Sequence, residues 1–293
     1  MKSIYRILTL LSLLTFVASV YSQQMAAEAR PVTSVVSYKM GQGQVRNSYL
    51  TPLLYTGTSY GLEGQRWRLQ RNLKWTNFQL LDLSFVSATD KGEHSEDWSG
   101  RLRYRYGVLR RWAVSAAHWV FFAGPYLGAD LGFDYNLKMA SANNPATVRA
   151  ALNAGAMGVA SYAFQVRGQR IPVLLQGRLP LLGAAFQPEY GASYYETFYL
   201  DAGGQTAHLT SVHNQQDFDL QLTADVPLAV IPWFRRYDSV IRLGAAYHIE
   251  TMDINAITTR FSTIEFSVGW VYQHLPFSRR KSHLLTAMPN EAY

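Results

Sequence analysis

Polar and apolar side chains alternate at every second position through two consecutive stretches between Trp98 and Leu137. In the first stretch, an aromatic and aliphatic face opposes a face of arginines; in the second, an apolar face opposes small residues and acids. A period of two is the side-chain period of a β-strand, so both stretches predict strands with one apolar and one polar face. The charged positions of the two polar faces are Arg101, Arg103, Arg105, Asp130 and Asp134.

The same alternation recurs along the chain and is cleanest in residues 217–228. Most of these segments are long enough for a tilted membrane-spanning strand, which needs roughly 9–11 residues. In residues 73–88 the alternation is clear only in the second half, which suggests a β-bulge near Gln79. About ten strands are predicted, and the least secure is the first. They cover residues 31–40, 54–71, 73–88, 98–108, 122–137, 148–166, 171–183, 217–228, 238–250 and 261–272.

The predicted connections fall into two classes that alternate along the chain. Short, Arg-rich or Pro-containing turns are expected at 68–72, 110–111, 168–169 and 232–237, and longer links at 41–47, 89–97, 138–147, 187–212 and 251–260. Short periplasmic turns and long outer loops are typical of outer-membrane barrels. The fold class is therefore all-β: a transmembrane antiparallel up-and-down β-barrel with its C-terminus in the periplasm. A soluble sandwich is the alternative, and the strand lengths disfavour it.

The N-terminus predicts a secretory signal peptide. Lys2 and Arg6 precede an apolar run over residues 7–20, and Ser22 is a suitable cleavage position. The run is shorter than the about 20 apolar residues of an anchoring helix. With no cysteine, the chain has neither a lipoprotein cleavage site nor a disulfide. The expected domains are a signal peptide (1–22), an outer-membrane β-barrel (23–277) and a periplasmic C-terminal tail (278–293), with localisation in the cell outer membrane.

The formal net charge is +7, but the basic residues form scattered short clusters rather than one face. We therefore expect no nucleic acid as partner. The expected partners are outer-membrane lipid and lipopolysaccharide and the barrel-insertion machinery, while the sequence indicates no specific protein partner. Tryptophans near strand ends, such as Trp98, Trp112, Trp119 and Trp233, suggest interfacial girdles.

If the polar faces point inward, the lumen receives nine acids and eight arginines. A ten-stranded barrel is narrow, so these charges are expected to pair across it and plug it. We expect the ladder of Arg101, Arg103 and Arg105 to face Asp130 and Asp134 on the next strand. The full set of lumen charges is Glu63, Asp82, Asp130, Asp134, Asp217, Asp219, Asp225, Glu250 and Glu265 with Arg101, Arg103, Arg105, Arg149, Arg167, Arg170, Arg178 and Arg242. The expected ion-pair network comprises Arg101, Arg103, Arg105, Asp130, Asp134, Asp217, Asp219, Asp225, Arg178, Arg242 and Glu250.

Three functional interpretations remain open at this stage. The first is a structural or binding and assembly component with a plugged lumen, and the second is a narrow small-solute channel, which needs a continuous water path. The third is a lipid-modifying hydrolase, although Gly-x-Ser-x-Gly is absent and no enzyme is expected. No cofactor or metal is predicted, because the histidines show no paired spacing. Triad candidates for the third interpretation are Ser193, Glu196, His208, His213 and His248.

A tyrosine-rich segment lies in the longest predicted outer loop. Aromatic residues are favoured at the centres of binding interfaces, so this segment is a candidate contact surface. A lid folded over the barrel mouth is the alternative. The residues concerned are Tyr190, Tyr194, Tyr195, Phe198 and Tyr199.

Four short motifs resemble a known family. They are the segment from Leu179 to Gly183 (LPLLG), the segment from Phe186 to Gly191 (FQPEYG), the segment from Ser193 to Glu196 (SYYE) and the loop from Asn143 to Ala146 (NNPA). Together with the strand pattern they resemble a domain-of-unknown-function family of predicted outer-membrane barrels in Bacteroidetes. The resemblance covers most of the mature chain and implies the barrel fold, but it implies no activity.

Overall fold

The computed structural model of this protein describes residues 32–70, 72–114, 118–137, 145–187, 199, 206–234 and 239–274. The predicted signal peptide and periplasmic tail lie outside the described residues. No helix in the described part has the length and hydrophobicity to cross a bilayer. The strands are β1 (Val32–Asn47), β2 (Thr51–Leu69), β3 (Trp75–Thr89), β4 (Glu96–Val114), β5 (Trp119–Asn136), β6 (Ala146–Val166), β7 (Gln169–Phe186), β8 (Ala207–Ser211), β9 (Gln215–Pro227), β10 (Val240–Ile254) and β11 (Ile257–His274).

The strands form one closed antiparallel sheet. Each strand from β1 to β7 pairs with the next in the chain, and the sheet closes where β1 pairs with β11 over its whole length. The short β8 and the longer β9 both pair with β7 and share one position in the wall, so eleven strand segments make a ten-stranded barrel. Closure pairs the first strand with the last, and a closed barrel is how a spanning sheet satisfies its backbone groups in lipid. The predicted fold class, an antiparallel β-barrel of about ten strands, is confirmed, and the periplasmic position of the C-terminus stays a prediction.

The two ends of the barrel differ in their connections. At the end that we call the loop end, β-strands are joined through residues 48–50, 90–95, 137–145, 187–206 and 255–256. At the opposite end, the turn end, the connections are 70–74, 115–118, 167–168 and 228–239, and the last contains two 3-10 turns, Leu228–Val230 and Pro232–Phe234. Both the first and the last strand open onto the turn end.

Several predicted connections were wrong because the strands are longer than a bilayer requires. The expected links at 41–47 and 251–260 are strand, and tight turns replace them. At one of these turns, Asn255 and Ala256 both have positive φ, the geometry of a two-residue hairpin turn. The expected turn at 110–111 lies inside β4, and the expected strand-free stretch 187–212 contains β8. The uncertain first strand is a full member of the wall.

The bulge predicted near Gln79 is absent: β3 pairs with β2 and with β4 in unbroken register. The alternation changes phase there because the inward-facing Phe78 and Leu80 are apolar whereas the outward-facing Asn77 and Gln79 are polar, the reverse of the rest of the strand. Inward-facing apolar side chains fill the barrel at this level, and the Trp67 and Phe78 rings lie 4.5 Å apart. This apolar cluster comprises Trp67, Phe78, Leu80, Leu109, Val120, Phe122, Tyr126, Met157, Val159 and Leu174.

Large apolar side chains cover the outer face of the strands. Leu127, Leu152 and Phe266 expose 65%, 65% and 72% of their surface, whereas Arg105 and Arg242 inside the barrel expose 1% and 0%. A soluble protein has the reverse distribution, since charged side chains are almost never fully buried unless paired. The distribution therefore requires an apolar medium around the barrel.

Candidate functional site

The middle of the lumen holds a layer of buried ionisable side chains, which we call the charged layer. Nine buried carboxylates and the half-buried Asp130 oppose seven cationic groups, with His248 as a further titratable group. The acids are Glu63, Asp82, Asp97, Asp130, Asp134, Asp217, Asp219, Asp225, Glu250 and Glu265. The cations are Lys39, Arg101, Arg103, Arg105, Arg149, Arg178 and Arg242.

Two arginines of β4 pair with acids of the neighbouring strand β5. Arg101 Nη2 lies 2.9 Å from Asp134 Oδ1, and Arg105 Nη1 lies 2.5 Å from Asp130 Oδ1. The β5 residues directly opposite these arginines are Gly132 and Gly128. A Cβ atom at either glycine would lie 2.8 Å from the Cδ of the facing arginine. The absent side chains therefore give each guanidinium the room to lie flat along β5.

Arg103 does not pair as expected from its position. Its Cα lies opposite Asp130, but its side chain crosses the lumen. Nη2 lies 3.1 Å from Asp82 Oδ1 on β3, and Nη1 lies 3.1 Å from Asp219 Oδ1 on β9. The expected pairing with Asp130 and Asp134 is therefore wrong for Arg103, because Asp134 pairs with Arg101 and Asp130 pairs with Arg105. Arg103 instead links two distant parts of the wall.

Lys39 on β1 was missed by the sequence analysis. Its Nζ lies 2.5 Å from Asp82 Oδ2 and 3.0 Å from Glu265 Oε2 on β11, and all three side chains are at most 2% exposed. Ser59 donates a hydrogen bond of 2.5 Å to the other oxygen of Glu265. Lys39 is the one charge on the inward face of a strand whose alternation is weak, so no pattern singled it out. It ties together the strands that close the barrel.

Of three further pairs, two join neighbouring strands and one, between Arg149 on β6 and Glu250 on β10, joins strands that are not adjacent in the sheet. Arg242 makes a two-pronged contact with Asp225, with Nε and Nη2 lying 2.6 and 2.8 Å from its two oxygens. Such bidentate pairs are among the stronger charge-assisted contacts. Arg149 Nη2 lies 3.1 Å from Glu250 Oε2, and Arg178 Nε lies 3.5 Å from Asp219 Oδ2. Each member of the predicted network thus lies in the lumen with at least one ionic partner.

The predicted charge balance needs two corrections. Arg167 lies exposed in the turn 167–168, where it donates to the carbonyl of Val230, so it is not a lumen residue. Arg170 is only half-buried and lies near the turn end. With Lys39 and Asp97 added, the charged layer contains ten carboxylates against seven fixed cations. The layer therefore has an excess of acids rather than a near balance.

Asp217, Asp219 and His248 form a cluster whose possible metal-ligating atoms all lie within 4.8 Å of one another. His248 Nδ1 is 2.9 Å from Asp219 Oδ1, but Arg103 Nη1 lies 2.7 Å from the same nitrogen. A guanidinium already supplies the positive charge at the point where a metal ion would bind. The cluster was not visible in the sequence, because it joins neighbouring strands whose pairing the spacing does not reveal.

The other predicted site residues lie near the loop end or outside the described residues. His208 contacts Asn255 at 3.0 Å, and His213 contacts Ser211, so these histidines share no common nucleophile among the described residues. Tyr199 is 75% exposed. The remaining candidates of the triad and of the aromatic surface lie outside the described residues: Ser193, Glu196, Tyr190, Tyr194, Tyr195 and Phe198.

A closed sheet with an apolar outer face and a charged, ion-paired lumen defines the class of membrane-spanning β-barrels. The family model described as "Protein of unknown function (DUF3316)" matches residues 6–281, and the chain belongs to this family. No curated protein matches the chain.

Solved structures of outer-membrane proteins are similar in fold. The outer membrane protease OmpT from Escherichia coli has a TM-score of 0.48 at 7% identity, covering 84% of this chain and 97% of its own. The transport unit of the autotransporter AIDA-I from Escherichia coli has a TM-score of 0.42 at 7% identity, and the match covers 86% of this chain and 92% of the AIDA-I chain. Ail, the attachment invasion locus protein of Yersinia pestis, has a TM-score of 0.30 at 9% identity, and the match covers 82% of this chain and 98% of the Ail chain.

Replacing Gly132 by valine should destabilise the barrel, because the new side chain would occupy the space of the Arg101 guanidinium. We expect a loss of about 1–3 kcal/mol, the usual cost of overpacking, measured as a lower urea midpoint in detergent. Gly158→Val is the matched control, since a Cβ at Gly158 meets no atom within 4 Å. Equal midpoints for the two variants would contradict the close packing of arginine on glycine.

Replacing Arg103 by alanine should leave Asp82 and Asp219 without their shared cation. Removing one partner of a buried ion pair costs about 3–5 kcal/mol, so the unfolding midpoint should fall. Arg110→Ala on the same strand is the control, because Arg110 is exposed and stacks only on Trp112 among its described contacts. A control that is as unstable as the Arg103 variant would argue against the central role of this residue.

Proposed function

We propose that this protein is an integral outer-membrane β-barrel that serves as a structural or assembly component and whose lumen is plugged by its ion pairs. One observation carries the proposal. The cavity within the charged layer, lined by Arg101, Arg103, Asp130, Arg149 and Glu250 among others, has a volume of about 20 Å³. This is room for about one water molecule. A conducting lumen needs a continuous water path, and this space does not provide one.

The apolar cluster at the turn end supports the same proposal. It fills the lumen next to the charged layer with rings packed at a tilt, and Trp67 and Phe78 are 1% and 0% exposed. A hydrophobic constriction excludes water and therefore opposes ion passage. The barrel thus has two successive barriers of different chemistry, and removing one of them leaves the other in place.

The distribution of side chains on the outer face supports an outer-membrane location. Apolar residues dominate the middle of the wall, and Trp112, Trp119 and Trp233 lie 38–91% exposed around the turn end. Tryptophan is enriched where a membrane meets water. We assign the turn end to the periplasm, where short turns are usual. A source in Bacteroidetes, contact with lipopolysaccharide and passage through the barrel-insertion machinery stay predictions.

The mature protein should fractionate with outer membranes and resist extraction by carbonate or high salt, because its apolar belt is in contact with lipid. Cell fractionation followed by carbonate washing tests this. An unboiled sample should also migrate differently from a boiled one on a denaturing gel, since the paired strands of a closed barrel keep it compact until it is heated. Recovery in the carbonate-soluble fraction would rule out the integral location.

The purified parent protein should show no stepwise conductance in planar bilayers. Arg103→Ala should remain at or near zero conductance as well, because the apolar cluster still closes the turn end. A triple variant that also replaces Trp67 and Phe78 by alanine should conduct. A parent that already conducts would favour the narrow-channel alternative. A triple variant that folds but does not conduct would contradict the assignment of the two barriers to these residues.

A further inference from the structure

The barrel wall is incomplete beside one segment of β7. β7 pairs with β9 from Val173 to Arg178 and with β8 from Leu182 to Phe186, but residues 179–181 pair with neither. Across from them, residues 215–218 of β9 pair with β10 and not with β7. We call the space between these two segments the wall gap.

The gap follows from a mismatch in strand length. Four steps along β7, from Arg178 to Leu182, correspond to eight steps along its partner, from Asp219 to Ser211. The additional residues form a sideways step at 212–214, held by hydrogen bonds from Asn214 N to the Ser211 carbonyl and from Asp253 N to the Asn214 carbonyl. On its other side β7 has a bulge at the same level, opposite Gly155. Bulges commonly re-aim side chains next to functional sites.

A cavity of about 300 Å³ occupies the wall gap. Its lining is mainly apolar and includes Leu179, Val212, Phe218 and Ile249. Leu179, Val212 and Phe218 are 38–45% exposed on the outer face. In a membrane-spanning barrel this face is in contact with hydrocarbon, so the cavity opens towards lipid and suits an alkyl chain.

Asp217 lies at the inner side of the same cavity. It lines both the wall gap and the small lumen cavity, and it is 4% exposed. Its Oδ1 accepts no hydrogen bond and lies 3.5 Å from His248 Nδ1, and its Oδ2 receives a long contact of 3.5 Å from Arg105 Nη2. A buried acceptor without a donor is costly, so a ligand that brings a donor is favoured. The excess of acids in the charged layer favours a donor that also carries positive charge.

From these observations we propose that the wall gap binds an alkylammonium amphiphile from the membrane. Its chain lies against Leu179, Phe218 and Ile249, and its ammonium group donates to Asp217. This inference uses the membrane-spanning fold but not the plug, so a barrel that conducts would leave it standing.

Dodecylamine carrying a diazirine at the end of its chain is a direct probe, since it is protonated at neutral pH as lysine is. The full mature protein is placed in phosphatidylcholine nanodiscs and irradiated, and the adducts are mapped by mass spectrometry. We expect adducts concentrated on the peptides that contain Leu179 and Phe218, about tenfold over those on lipid-facing Phe266 and Val268 of β11. The fatty acid with the same chain and diazirine should show no such preference.

Asp217→Asn should reduce the labelling of the gap by the amine to the level of the fatty acid. Val212→Trp should block labelling by filling the cavity without touching the charged layer, so it decides the matter if the Asp217 variant fails to fold. Leu222→Trp, on the outer face of β9 and away from the gap, is the control and should label as the parent does. Even labelling of all lipid-facing strands, or gap labelling unchanged by Val212→Trp, would overturn the proposal.

Discussion

Hydrocarbon offers a charged side chain no partner, and this constraint governs the structure. Every ionisable group of the strands must either find its counterpart inside a narrow barrel or stay near the ends. The arginines of β4 therefore depend on acids from β3, β5, β9 and β10, and the described ion pairs form three groups, around Arg103, Arg101 and Arg242. The wall holds these charges together, and their pairing in turn fixes how the strands of the wall face one another.

The charged layer and the apolar cluster perform different tasks in the same lumen. Ion pairs are directional, so contacts such as the bidentate pair of Arg242 and Asp225 specify which strands face each other. The apolar cluster around Trp67 fills volume without demanding partners. Within the charged layer, the Arg103 guanidinium contacts the cluster of Asp217, Asp219 and His248. The wall gap is the part of the described wall where the pairing between neighbouring strands is interrupted.

The sequence predicted local features better than distant ones. Alternation placed Arg101, Asp134, Arg105 and Asp130 on inward faces of adjacent strands, and these pairs are present. The alternation led to a wrong prediction of a bulge in β3, because the inward-facing Phe78 and Leu80 produce the same change of phase as a break in register. It could not foresee that Arg103 would reach Asp219, since contacts between strands that are not neighbours depend on how the sheet closes. The gap was equally hidden, because it arises from a mismatch between three strand segments.

Lys39 has a consequence for the kinetics of folding. It joins β1 to Glu265 on β11, so it spans the seam between the two ends of the chain. Contacts between such distant residues carry the greatest loop-closure cost and form late. Interactions that are absent from the transition state slow unfolding without speeding folding. The salt bridge between β1 and β11 therefore has little effect on the folding rate of the barrel and slows its unfolding.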